Sequence, residues 1–146
     1  MKRILTSLAV LSIGATGSAV ALGTSSNSSI GVRRTHLGRI VVDGRGRTLY
    51  LFERDKADNS NCSNGCLTVW PALTATVRPH ARAGVVGGKI GTIRRADGRR
   101  QVTYNKHPLY YYVGDGRPGD TNGQGLNQFG AKWYVLSPAG RKIDDD

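Results

Sequence analysis

One pattern, Tyr-x-aromatic-x-x-Asp, occurs twice in the chain, as Tyr50-Leu51-Phe52-Glu53-Arg54-Asp55 and as Tyr110-Tyr111-Tyr112-Val113-Gly114-Asp115. The copies start 60 positions apart, Leu49 and Leu109 precede them, and each leads through a polar, glycine-bearing loop to a tryptophan, Trp70 or Trp133. A repeated unit of this size needs its partner to complete a core. The expected fold is all-β, a small single domain of two fused β-hairpin repeats, mainly antiparallel, with repeat one at about 38–75 and repeat two at about 88–138.

Turn chemistry supports strands throughout and gives no convincing helix. Arg39 to Asp43 is rich in β-branched residues, Gly44-Arg45-Gly46 supplies a turn, and Arg47 to Phe52 returns. Repeat two follows the same plan with an extra leading strand: Lys89 to Arg95, a turn at Asp97-Gly98, Arg100 to Asn105, a turn through Lys106-His107-Pro108, and Leu109 to Val113. Asp-Gly between two such runs is a strong hairpin signal.

The N-terminus carries Lys2 and Arg3, an apolar run through Ile13 and small residues ending in Ala19-Val20-Ala21. This is the layout of a secretory signal peptide (1–21), and Gly14, Thr16, Gly17 and Ser18 break the run too often for a transmembrane anchor. No cysteine follows to accept a lipid, so the expectation is an exported protein, periplasmic or extracellular and not lipid-anchored. Residues 22–37 read as a flexible Ser/Gly/Asn linker, 38–139 as the folded domain and 140–146 as a charged tail.

The formal charge is +11 and remains +9 once Lys2 and Arg3 are removed. Arg94, Arg95, Arg99 and Arg100 cluster around one turn. A solvated hairpin accounts for them without a ligand; a binding role makes them an anion site. An exported chain without an aromatic-interleaved basic motif is not expected to meet nucleic acid. Anionic envelope polymers or acidic lipid headgroups are the more accessible partners, attracted by charge alone.

Strand alternation places Tyr50 with Phe52, and Tyr110 with Tyr112, on one face. Two roles are open to them: packing the core shared by the repeats, or lining a stacking groove for a sugar or cofactor. Asp55 and Asp115 stand where each strand should end, placed to accept backbone N–H groups of the following loop. The loops around them, with Asp58, Asn59 and Asn61 in one and Asp120, Asn122 and Gln124 in the other, are oxygen-rich enough to suit calcium. Neither matches the Asp-x-Asp-x-Asp-Gly loop with a terminal Glu, and no metal or cofactor is assigned.

Cys62 and Cys66 are a close, even pair in an exported chain, which points to a structural disulfide. Ser63-Asn64-Gly65-Cys66 also resembles part of the nucleophile motif of L,D-transpeptidases, cysteine-dependent wall enzymes. Such an enzyme needs a thiolate activated by histidine. Here Leu67-Thr68 replaces the expected residues, no histidine lies in the stretch upstream, and Glu53 is the sole glutamate. No catalytic residues are assigned, and a redox accessory role stands as a further alternative.

The chain resembles the bacterial secreted repeat of unknown function family, which includes lipoproteins with a Yx(FWY)xxD motif. The resemblance rests on Gly46 to Asp55, the Cys62/Cys66 pair leading into Val69-Trp70-Pro71-Ala72-Leu73, Asp97-Gly98 with Gln101 to Tyr104, Pro108 to Asp115, Pro118 to Gly125 and Trp133-Tyr134-Val135. It implies export and a duplicated unit without implying an activity. The stretch Leu126 to Lys132 is longer than the family's glycine link. The preferred reading is a non-catalytic envelope-associated or secreted module for an anionic or carbohydrate ligand.

Overall fold

The computed structural model describes residues 29–145, together with Gly14 and Gly17. The signal-peptide reading of 1–21 therefore lies, those two glycines apart, outside the described residues.

Strand β1 (Ser29–Thr35) forms a hairpin with β2 (Gly38–Asp43) in the register Ile30 to Asp43 through Thr35 to Gly38. The linker expected over 22–37 thus ends earlier, because Ser29–Thr35 is paired backbone. Thr35 closes the turn, its Oγ1 accepting from Leu37 N at 3.1 Å and donating to Gly38 O at 3.1 Å. Next come β3 (Tyr50–Phe52), a five-residue helix α1 (Gly65–Val69), β4 (His80–Ala81), β5 (Ile90–Arg94) and β6 (Arg100–Tyr104). Strands β7 (His107–Pro108), β8 (Asn127–Gln128) and β9 (Ala131–Val135) complete the chain. Among the described residues three sheets result, ordered β2-β1-β4, β5-β6-β7 and β3-β9-β8, with every strand pairing antiparallel except that of β1 with β4.

Three local expectations change. The turn expected at 106–108 falls at Asn105 and Lys106, both at positive φ (49° and 67°), the two-residue geometry that matches the twist of a hairpin. The expected strand over 109–113 is not regular. Tyr110 bridges both Tyr50 and Ala72, while Tyr111 N and Val113 N donate to Pro71 O and Val69 O. The tail expected from 140 turns back at Gly140 (φ 78°), and Ile143 N donates to Val135 O at 2.9 Å, which extends the folded unit.

The repeats exchange their ends. Tyr50 N donates to Tyr110 O at 2.8 Å and Tyr110 N to Tyr50 O at 3.0 Å, a pair of bonds that maps onto itself when the repeats are swapped. On either side of this local two-fold the C-terminal arm of each repeat pairs with the other. Strand β9 of repeat two lies along β3 of repeat one, and Leu73 N of repeat one donates to Leu109 O. Leu136 O accepts from Val41 N, and Leu73 O accepts from Val102 N. Neither motif strand can satisfy its backbone within its own repeat.

The core forms where the arms cross. Trp70 and Trp133 are fully buried and stack on each other with centroids 3.9 Å apart and planes 5° apart. Phe52 continues the stack on Trp133 at 4.0 Å, and Tyr112 on Trp70 at 4.5 Å. Gln128 in the β8–β9 hairpin holds both indoles, its Oε1 accepting from Trp70 Nε1 at 2.9 Å and its carbonyl from Trp133 Nε1 at 3.0 Å. The β8–β9 hairpin thereby satisfies two buried donors.

The exchange predicts that residues 29–86 and 87–145, produced separately, each lack a cooperative thermal transition. Mixed in equal amounts they should regain near-ultraviolet dichroism from the two tryptophans. A cooperative transition in either half alone would contradict the interlocked core.

Candidate functional site

Each motif tyrosine reaches the motif aspartate of the other repeat. Tyr50 hydroxyl donates to Asp115 Oδ2 at 2.7 Å, and Tyr110 hydroxyl donates to Asp55 Oδ2 at 2.8 Å. The second oxygen of each carboxylate fixes its own loop: Asp55 Oδ1 accepts from Asn61 N at 2.6 Å and Asp115 Oδ1 from Asn122 N at 2.9 Å. Asp120 Oδ2 accepts from Gly116 N and Arg117 N, both at 3.0 Å. These oxygens are committed to fixing turns, and among the described residues no three His, Cys, Asp or Glu side chains group to hold a metal. Burial raises the Tyr50 and Tyr110 hydroxyls above their ordinary value, with the neighbouring aspartate adding to the shift.

The two ends differ in what lies beyond the pair. In repeat two, Tyr50 hydroxyl also accepts from Gly123 N at 3.1 Å, and Gly123 has no room for a side chain, since a Cβ there would stand 2.8 Å from Trp70 and 2.9 Å from Tyr50. In repeat one the corresponding place holds Ser60, whose Oγ lies 2.6 Å from Tyr110 hydroxyl. Arg95 then turns inward, Nη1 donating to Ser60 Oγ at 2.9 Å and Gln101 Oε1 at 2.6 Å, and Nη2 to Cys62 O at 2.6 Å. Its buried Nε has no partner. A hollow of about 360 Å³ opens beside this network, lined among others by Asn59, Ser63 and Arg94.

The four arginines of the basic hairpin therefore part company. Arg95 is a bracket between the repeats, and Arg99 is occupied by Asp97, with Nη2 2.9 Å from Oδ2. Arg94 and Arg100 stand directly opposite each other across β5 and β6, exposed, and neither makes an ion pair among the described residues. With Arg99, Gly98 and Thr74 to Thr76 they edge a second hollow of about 500 Å³.

The other expected site residues fall in the core. Tyr50, Phe52, Trp70, Tyr110 and Trp133 are at most 2 % exposed, so they form no stacking groove; Tyr112 is half-buried on the same stack. Cys62 and Cys66 form a disulfide across the start of α1, so Cys66 presents no thiol. In the chain-entropy picture so short a loop contributes about 2 kcal/mol. The sequence reading passed over Ser60 and Gln128, and it passed over a second repeated signal. Ile30-Gly31-x-x-Arg34 recurs as Ile90-Gly91-x-x-Arg94, which marks β1 as the counterpart of β5.

Burial pushes the Asp55 carboxyl up from 3.8 to about 6, against the opposing effects of Asn61 N, Tyr110 hydroxyl and Arg95. Burial raises Asp115 as well. A folded-state value above the unfolded one means that the folded protein holds the proton longer. The associated stability is complete below about pH 4 and is lost as pH rises through about 6. The melting temperature of the parent relative to Asp55→Asn should therefore increase as pH falls from about 7 to about 4. A difference that stays constant, or shrinks toward acid, would contradict this assignment.

A family model described as a secreted repeat of unknown function matches residues 31–74 and again 91–137, more than half of the chain. The chain matches no curated protein and no solved structure. No helix among the described residues is long and apolar enough to cross a membrane. The two matched segments are the two units that exchange their C-terminal arms, one beginning at β1 and the other at β5, and the chain belongs to the family of secreted repeats of unknown function.

Proposed function

We propose that this secreted repeat protein is a non-catalytic module that holds an anionic polymer of the cell envelope through the arginines of the β5–β6 hairpin. One observation carries the reading: Arg94 and Arg100 face each other directly across the hairpin with no counter-ion among the described residues. Like charges directly opposite in a sheet are destabilising, and an external anion between them removes that penalty. A guanidinium pair suits the oxyanions of phosphate or carboxylate polymers, since each planar fork donates two parallel bonds. The formal charge of +9 that remains without Lys2 and Arg3 adds long-range attraction.

The burial of the motif aromatics leaves charge, rather than ring stacking, as the means of recognition, so an uncharged carbohydrate is no longer favoured. The disulfide argues against a wall enzyme working through Cys66. Residues 1–21 act in this reading as a cleaved signal peptide, and the mature chain works in the periplasm or outside the cell without a lipid anchor.

The test is co-sedimentation with insoluble anionic wall polymer at low salt. Arg94→Glu with Arg100→Glu should weaken retention by about tenfold. Lys56→Glu with Lys106→Glu, which makes the same change of net charge at two other exposed positions, should weaken it far less. Equal losses in the two variants would reduce the site to bulk charge and contradict the proposal.

A further inference from the structure

The arginine pair on β5–β6 has a counterpart. Strand β1 pairs with β2 so that Arg34 faces Arg39, as Arg94 faces Arg100. The match is positional. Ile30 near the start of β1 and Ile90 at the start of β5 are both buried in the core, Gly31 and Gly91 follow, and each arginine comes four residues after its isoleucine. On the partner strands Val41 and Val102 play the same part, each donating its N–H to the arm of the other repeat, at Leu136 O and Leu73 O. Arg39 and Arg100 each stand two residues before that valine. The exchange of repeats that carries Tyr50 onto Tyr110 thus carries one arginine pair onto the other.

All four arginines are exposed, and none makes an ion pair or a side-chain hydrogen bond among the described residues. The other two arginines of the β5–β6 hairpin behave differently: Arg95 is bound inside and Arg99 is held by Asp97. A solvated surface needs only scattered charge. It has no need of like charges directly opposite one another, which cost stability, in register-equivalent places of both repeats.

We propose that Arg34 with Arg39 and Arg94 with Arg100 are two equivalent oxyanion sites, and that the domain grips one polyanion chain at both. This rests on the reading of the β5–β6 pair given above and extends it from one contact to two. The ligand class is a polymer with an oxyanion on successive units, phosphate or carboxylate. A chain long enough to meet both pairs makes its second contact within one molecule, which multiplies affinity without any new kind of contact. A short oligomer has no such advantage and fills the two sites independently.

The experiment measures binding of long-chain inorganic polyphosphate, triphosphate and polyglutamate to the mature protein, to Arg34→Gln/Arg39→Gln and to Arg94→Gln/Arg100→Gln. Either double variant should bind the long polyphosphate roughly 10- to 100-fold more weakly, the loss expected when two linked contacts become one. Triphosphate should bind with two equivalents in the parent and one in each variant, at unchanged affinity for the remaining site. Melting temperatures should stay level or rise, because each variant relieves a repulsion; a fall in melting temperature would mark the pair as structural and overturn the inference. Tighter binding of polyphosphate than of polyglutamate assigns phosphate as the recognised group, and the reverse order assigns carboxylate, either one supporting the bivalent grip. Weakening in the Arg94/Arg100 variant alone would overturn the second site and leave the single-site reading standing. No weakening in either variant would overturn both.

Discussion

The structure depends on a hydrogen bond made twice across the repeat boundary, from the tyrosine of one motif to the aspartate of the other. Each bond lies beside the stacked Trp70 and Trp133, and each carboxylate uses its second oxygen to set the loop that leads to its own repeat's tryptophan. The motif is thus a connector. Its tyrosine reaches outward to the partner repeat, and its aspartate receives the partner's tyrosine while fixing the local chain. Removing one member leaves a buried polar group unpaired, which costs about 1–3 kcal/mol. Tyr50, Tyr110 and Asp115 are accordingly buried, and Asp55 is partly so.

That arrangement also explains how the repeats diverge without losing the fold. Repeat two closes its tyrosine end with the backbone of Gly123, packed too tightly to admit a side chain. Repeat one replaces that contact with Ser60, Arg95 and a disulfide-clipped helical turn, leaving a hollow beside them. The shared framework carries the stability, and the loops and hairpin edges carry the differences. Function read from the motif itself would look in the core, where a ligand cannot reach. The hairpins carry exposed arginines that make no ion pair among the described residues.

Much of this was legible in the residues. The doubled Tyr-x-aromatic-x-x-Asp with its following tryptophan pointed to two units with one core, Asp97-Gly98 located the β5–β6 turn, and the spacing of Cys62 and Cys66 pointed to a disulfide. Strand β1 was hidden because its partner on one side is the short β4, and its own residues, Ser29 and Arg33 to Thr35, read as polar linker. Comparison of Ile30-Gly31-x-x-Arg34 with Ile90-Gly91-x-x-Arg94 would have disclosed it. The exchange of arms was not legible at all, since a strand signal names no partner: β3 pairs with β9 some 80 residues on, and nothing in either run specifies that choice. The separate fates of Arg94, Arg95, Arg99 and Arg100 likewise depend on which way each side chain leaves the hairpin.

The central claim is that the motif tyrosines and aspartates work in crossed pairs, and a double-mutant cycle tests it most directly. Unfolding free energies of Tyr50→Phe, Asp115→Asn and the double variant give the coupling across the repeats; Tyr50→Phe with Asp55→Asn gives the coupling within one repeat. The crossed cycle should show roughly 0.5–3 kcal/mol and the other close to zero. A coupling between Tyr50 and Asp55 that equals or exceeds that between Tyr50 and Asp115 would contradict the account.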